Sequence, residues 1–555
     1  MIRTKIISSL ENVFADEDFN KYPEIKHLSA LRGEKISVQM LYTYEKTASG
    51  IYMMTELSPE LTGSLSEYAR TYDVRYVPVE KPINTDCDDN YLRTVPGLFP
   101  DLLIPLEKGE SVWATSKALD SMWIEISIPN EGITGLQTLT VKFTDPISGE
   151  ASENSIEIEV IDALLPEQTL KFTQWFYTDC LANYYNVPVW SKRHWEIIES
   201  FAKKAAELGI NMLLTPVFTP PLDTKIGGER LTTQLVGVTV KNGKYSFSFR
   251  LLDKWIDMCN RVGIKYLEIS HLFTQWGATH APKIMAKADG EYKQIFGWDT
   301  DAHGEEYRVF IRTFLRALLD HMKKRGDDKR CFFHISDEPS TEQLADYKAS
   351  KSIAEDILSD YIIMDALSDY EFYKMGIVKT PIPSNDHIKP FIDNNVEGLW
   401  TYYCCGQCVN VSNRLVAMPS WRNRSIGMQM FKYNIVGFLH WGYNFYNSHN
   451  SRKEINPYLE LSGEKWVPAG DPFSVYPAKD GTPHPSLRAI VFREALEDMR
   501  ALQLCESLYS HAEVVAAVEK ALGFEVAFDK CAKSSKEILE MREAINAMIK
   551  ARISK

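Results

Sequence analysis

CFFHISDEPS, residues 331–340, carries an apolar run and a serine straight into two adjacent carboxylates, Asp337 and Glu338, and then a proline. A short continuous apolar run is the signature of a strand buried on both faces, as in a parallel sheet. Two carboxylates side by side repel when both are ionised. Such a pair implies that one acid stays protonated or that a ligand divides their tasks.

The same rhythm extends in both directions. Upstream lie LKFTQWFY from residue 170, NMLLTPV from 211 and IKYLEIS from 264; downstream lie YIIMDAL from 361, TPIPS from 380, GLWTYYCC from 398 and IVGFLHWGYNFY from 435. Amphipathic stretches such as SKRHWEIIESFAKKAAELG and EEYRVFIRTFLRALLDHMKKRG separate most of them. Repeated βα units generate parallel strands, and eight of them predict a closed (β/α)8 barrel. An open doubly wound sheet is the rival, but no Gly-rich phosphate loop follows the first strand.

Residues 1–165 read differently. SMWIEISIP, QTLTVKFTD and SIEIEVID alternate apolar and polar positions, the pattern of strands wet on one side and packed on the other, and they predict a β-sandwich. The expected organisation is a sandwich over 1–165, a barrel over 166–510 and a helical extension over 511–555. The sandwich is expected to support the barrel, at most lending a loop to its cleft.

Composition narrows the function. Of 555 residues, 45% are hydrophobic and 25% charged, an ordinary globular balance. The net charge of −13 argues against a nucleic-acid partner. No apolar run approaches the ~20 residues of a membrane span. The nine cysteines are scattered and odd in number, and the first residues hold no long apolar signal region, so a cytoplasmic location is expected.

In a barrel of this kind, catalytic groups sit at the C-terminal ends of the strands, where Asp337 and Glu338 fall. The other strand ends are rich in aromatic and small polar residues: Trp175, Tyr177 and Asp179; Glu268, His271 and Trp276; Trp400, Tyr402 and Tyr403; His440, Trp441, Tyr443, Asn444 and Tyr446. Aromatic faces with hydrogen-bonding edges suit a sugar, which offers apolar C–H faces and a rim of hydroxyls. Taken singly, each is more readily a packing residue; as a set they predict a carbohydrate cleft, with Trp175, His271, Trp400, Tyr402, Tyr403, Trp441 and Asn444 as its walls. Retaining glycosidases usually draw a second carboxylate from another strand. The late strand ends, WTYYCCGQC and HWGYNFYN, hold none. Adjacent acids without a distant partner suit substrate assistance, in which the 2-acetamido group of the sugar attacks its own anomeric carbon.

HISDEP after a barrel strand, the β-rich start and the late segment GDPFSVYPAKDGTPHPSLRAIVFREALEDMRAL together resemble glycoside hydrolase family 123. The resemblance spans essentially the whole chain and implies a β-N-acetylgalactosaminidase acting by substrate assistance. By that resemblance Asp337 polarises the acetamido group and Glu338 is the general acid/base. Attracting the amide N–H requires Asp337 ionised, and the neighbouring anion and burial are expected to keep Glu338 protonated at rest. It implies no metal or cofactor, and a glycan or glycoconjugate ending in N-acetylgalactosamine as substrate. A hydrolase of another 2-acetamido sugar, such as β-N-acetylglucosamine, and a non-catalytic carbohydrate-binding protein are the alternatives. Other signals have plainer readings. Cys405 and Cys408 have CxxC spacing without a second pair, so they are incidental. His334 is expected to be a satisfied core residue and Asp365 to pair inside the barrel. Glu268 either supports the acid pair or is structural. Arg422 and Arg424 either orient a carboxylate or are solvated.

Overall fold

The computed structural model describes residues 1–45, 53–275, 277–337 and 343–553. Ten strands build the N-terminal module as two five-stranded sheets. One runs in the order Ile2–Ser8, Lys35–Tyr44, Asp120–Ser127, Ala69–Val79, Gly97–Leu106, all antiparallel. The other runs His27–Arg32, Ala151–Leu164, Gly135–Thr144, Met54–Thr62, Val112–Thr115, with its first pair parallel. The alternation read in the sequence fills the space between them: Met122, Ile124 and Ile126 meet Leu139, Val141, Phe143, Ile156 and Ile158 in one buried cluster.

Eight parallel strands follow, named here first to eighth in chain order: Lys171–Gln174, Met212–Thr215, Tyr266–Ile269, Cys331–Phe333, Ile362–Ala366, Thr380–Ile382, Trp400–Tyr402 and Gly437–His440. The ladder order is sixth-fifth-fourth-third-second-first-eighth-seventh, which is a ring opened between the sixth and seventh strands. A parallel bridge between Ser384 and Tyr402 spans that gap, with Tyr402 N donating to Pro383 O at 3.1 Å. All eight apolar runs of the sequence are barrel strands. Helices Lys192–Glu207, Arg250–Val262, Glu305–Arg325 and Leu344–Ala354 lie between them. Local chemistry sets helix limits. Ser191 caps the first of these by accepting from His194 N, and Gly263 and Gly326 end two others at φ 88° and 78°, where a side chain would be strained.

Two hairpins, Gly237–Lys241 with Lys244–Ser248 and Ile284–Ala288 with Glu291–Phe296, form an added four-stranded sheet in the loops after the second and third strands. Their short strands carry lysines and serines on an exposed face, so the apolar signal is weak.

Helix Leu487–Leu508 joins the two modules. It is buried on nearly every side, against the barrel's Phe172 and Phe438 through Phe492 and against the first sheet of the sandwich. The face of strand Asp120–Ser127 that its sequence marks as wet is therefore covered: Glu125 is buried and accepts from Arg493. Residues 80–92 leave the sandwich as a strap. Asn84 donates to Cys405 O at 2.7 Å, Asp88 pairs with Arg422 at 2.8 Å, and Lys81 donates to Trp466 O at 2.9 Å. The N-terminal module thus braces the loops after the seventh and eighth strands. Arg422 is committed to this brace and Arg424 to Glu494 and Asp498, so neither is solvated.

Candidate active site

The fourth strand stops at Phe333 because the next residue turns inward. His334 is fully buried in the barrel, with Nε2 at 2.7 Å from Glu268 Oε1 and Nδ1 at 3.3 Å from Asp365 Oδ1. The third and fifth strands, flanking the fourth, supply these carboxylates. Each has further partners. Glu268 accepts from Thr173 Oγ1 and, at 2.8 Å, from Trp175 Nε1; Asp365 accepts from Tyr347 OH and, at 3.1 Å, from Ile335 N. Burial alone would strip His334 of its proton, but the two carboxylates overcome it and hold its pKa up to about 9. Burial pushes Asp365 upward, against the pull of His334. The floor of the site is therefore a buried imidazolium clamped between two acids. Leaving either acid unpaired there costs about 3–5 kcal/mol.

Above this floor the chain continues as Ile335, Ser336 and Asp337. Leu272 N donates to His334 O at 3.3 Å and Phe273 N to Ile335 O at 3.1 Å, while Ser336 Oγ donates to Thr274 O at 2.8 Å. Pinned to the end of the third strand in this way, Asp337 stands half-buried at the C-terminal mouth of the barrel. Its charge is felt at Tyr177, after the first strand: burial, then Asp223 and, more weakly, Cys180 and Asp337 push that hydroxyl well up. Glu338 lies outside the described residues, as does Trp276.

The model of the glycoside hydrolase 123 catalytic domain matches residues 175–505, more than half of the chain. The chain belongs to glycoside hydrolase family 123. Its fold matches a family 123 glycoside hydrolase from Clostridium perfringens, solved for the details of glycolipid glycan hydrolysis, with a TM-score of 0.75 at 14% identity over 100% of this chain and 99% of that one. Weaker matches include a β-glucuronidase from Parabacteroides merdae (9% identity, 90% and 51% of the two chains, TM-score 0.28) and an endo-β-1,4-mannanase from Thermotoga petrophila (13%, 60% and 77%, TM-score 0.33). Both are too dissimilar to add to the fold assignment. A search of curated proteins found no match.

In the family 123 barrel the expected wall residues divide into four groups. Trp175 and His271 gather at the mouth side of the floor: the His271 ring stacks on His334 at 4.3 Å and meets Trp175 edge-on at 5.2 Å. Trp441, half-buried, packs on Trp466 at 5.5 Å and donates from Nε1 to Asp471 Oδ2 at 2.9 Å. Tyr402 ends the seventh strand and shares the inward parity of Trp400. The other three have structural work. Trp400 starts its strand, away from the mouth, and its ring lies over Gly437 and against Phe332. Tyr403 points outward between Phe438 and Phe492, with its hydroxyl on Asn423. Asn444 spends its amide on both backbone groups of Tyr177, at 2.8 and 3.1 Å. Trp400, Tyr403 and Asn444, expected as cleft walls, are thus engaged in packing and bracing contacts; an aromatic run such as WTYY does not disclose which rings face the lumen.

Sequence reading missed two groups near the mouth. Arg230, from the insertion after the second strand, clamps Asp179 through Nε at 2.8 Å and Nη2 at 2.9 Å and lies 5.1 Å over the Tyr177 ring. Asp471 is buried beside His440, whose Nδ1 accepts from Arg414 and Gly442 N, and burial raises its pKa to about 7 against the pull of Arg414. Asp471 sits in the GDPF turn, where Gly and Pro announce a loop but nothing announces burial. Among the described residues, no group of three or more His, Cys, Asp or Glu is placed to hold a metal ion, and no helix is long and apolar enough to cross a membrane.

Proposed function

We propose that this family 123 hydrolase is a retaining exo-enzyme that removes terminal β-linked N-acetylgalactosamine by substrate assistance. The observation that carries this reading is that the carboxylates able to replace the substrate's own nucleophile are already engaged. Glu268 is held by Thr173, Trp175 and His334, and Asp179 by the two-pronged contact with Arg230. Asp365 is taken by His334, Tyr347 and Ile335 N. Asp337 stands half-buried at the mouth, where the terminal sugar would enter, with Glu338 next to it in the chain.

In this mechanism the acetamido carbonyl oxygen attacks the anomeric carbon as the glycosidic bond breaks. Asp337 accepts the amide N–H and stabilises the positive charge of the resulting oxazoline. Glu338 donates its proton to the departing oxygen. It then takes one from the water that opens the oxazoline, so the β configuration is retained. Trp175 and Trp441 supply apolar surface for the sugar's C–H face. The glycolipid glycan studied with the Clostridium protein makes a glycolipid or other glycoconjugate our proposed substrate class.

A panel of nitrophenyl 2-acetamido β-glycosides tests the reading. Release is expected from the galacto compound above the gluco one, with inhibition by a sugar thiazoline that mimics the oxazoline. Preference for the gluco compound would change the substrate. No release from any would favour a binding protein, and trapping of a glycosyl-enzyme by a 2-fluoro sugar would overturn substrate assistance.

A further inference from the structure

His271 is 1% exposed, yet neither ring nitrogen has a hydrogen-bond partner among the described residues. A buried polar atom without a partner is unfavourable, and native structures rarely keep one unless a ligand or water uses it. The stack on His334, the edge of Trp175 and the backbone bonds at Leu272 and Phe273 together fix the ring at the mouth side of the charged floor. The charges that face it come from three strands. His334 of the fourth lies against its plane; Glu268 of the third and Asp365 of the fifth lie behind, both engaged with His334. A second positive charge would sit face to face with the His334 imidazolium at 4.3 Å, away from water. Burial, and then that charge, hold His271 well below the ordinary imidazole range. A neutral imidazole has one donor and one acceptor nitrogen, and a sugar hydroxyl is likewise both donor and acceptor.

We propose that His271 reads one ring hydroxyl of the terminal sugar, at C3, C4 or C6, and that His334 is the positioning residue that holds His271 in the orientation for it. This rests on the reading of the mouth as a 2-acetamido sugar site and adds the group that discriminates among such sugars.

The test compares kcat/KM for nitrophenyl N-acetyl-β-galactosaminide with its 3-, 4- and 6-deoxy analogues, in the wild type and in His271→Ala, His271→Gln and His334→Gln. Ratios between substrates within one variant do not depend on how much of it is folded. The wild type should lose about 10- to 100-fold on one analogue. His271→Ala should lose a similar factor on the parent sugar and almost nothing more on that analogue. His271→Gln, which keeps a donor and an acceptor, should restore part of the discrimination. His334→Gln should raise KM more than it lowers kcat and shrink the same ratio. Equal losses on all four sugars in His271→Ala would make the residue structural and overturn the proposal; an unchanged ratio in His334→Gln would overturn the positioning role. A wild type that turns over no 2-acetamido glycoside removes the hydrolase reading and this inference with it. An active wild type with unvarying ratios removes this inference alone.

Discussion

Asp337 and Glu338 are neighbours in the chain, but their loss should be told apart by the leaving group. Glu338→Gln removes the proton donor. It should cripple hydrolysis of natural glycosides and spare nitrophenyl ones, whose leaving group departs without help. Asp337→Asn removes charge stabilisation in the transition state, so kcat should fall by ~10²–10³-fold whatever the leaving group. Equal leaving-group sensitivity in the two variants would contradict the assigned roles. The residue beneath them makes a separate prediction. The folded pKa of His334, about 9, lies above the 6.5 of an ordinary imidazole. Its stabilising contribution is therefore complete below pH 6.5 and is lost as pH rises through 9. That amounts to about 3 kcal/mol if the unfolded chain titrates normally. The wild-type Tm should fall between pH 6.5 and 9.5 more steeply than that of a variant with the bridge neutralised, Glu268→Gln with His334→Gln and Asp365→Asn. Parallel slopes would mean the histidine is uncharged in the folded protein. In the sequence these three residues are legible as polar intrusions in apolar runs, and Asp365 was read as paired within the barrel. Which partner each takes depends on strand order, because the third and fifth strands are neighbours of the fourth only after the barrel closes.

The eight barrel strands are legible as elements because a strand buried on both faces has to be apolar throughout, and few other segments of this chain are. The direction of each side chain is less legible. Strands of three to five residues give too short a period to assign a face when both faces are dry. Trp400 shows the consequence. Its ring needs the space that Gly437, on the neighbouring eighth strand, leaves empty: a Cβ there would lie 2.1 Å from the indole. The glycine is required by the close approach of that ring, not by its backbone angle. Gly437→Ala should push Trp400 off the eighth strand and destabilise the barrel by about 1–3 kcal/mol or more. Thermal unfolding should report the loss, and a second change, Trp400→Leu, should recover most of it. Failure of the double variant to recover would place the strain elsewhere. The same limit hid the covered face of strand Asp120–Ser127. Trp123 and Glu125 alternate with apolar residues as a solvated face would, yet both are buried against the helix-487 side of the interface, 4% exposed at Glu125.

At the scale of the whole molecule, that interface ties the sandwich to the barrel through buried ion pairs. Helix Leu487–Leu508 carries Arg488 and Arg493, and both find their acids in the sandwich: Arg488 takes Asp101 at 2.8 and 2.9 Å, and Arg493 takes Glu125. The C-terminal helix Ser535–Ile553 repeats the arrangement, with Arg542 on Glu34 at 2.8 Å. All six groups are nearly inaccessible to water. Buried pairs of this kind add little net stability over apolar replacements, but removing one partner costs about 3–5 kcal/mol because the other charge stays behind without compensation. Arg488→Met should therefore lower Tm sharply, whereas Arg488→Met with Asp101→Leu should recover most of the loss. Removing residues 1–165 takes Asp101 from Arg488 and Glu125 from Arg493, leaves Arg542 with Asp498 alone, and exposes the apolar surface of helix Leu487–Leu508. The uncovered apolar face and the lost hydrogen bonds draw on the ~5–15 kcal/mol that holds a typical domain folded. The barrel alone should fail to accumulate as a soluble, folded protein, and calorimetry of the intact chain should show sandwich and barrel unfolding in a single transition. Two separated transitions, or an active barrel lacking the first 165 residues, would show that these cross-module charges are relaxed on separation and that the strap over residues 80–92 is dispensable to the mouth.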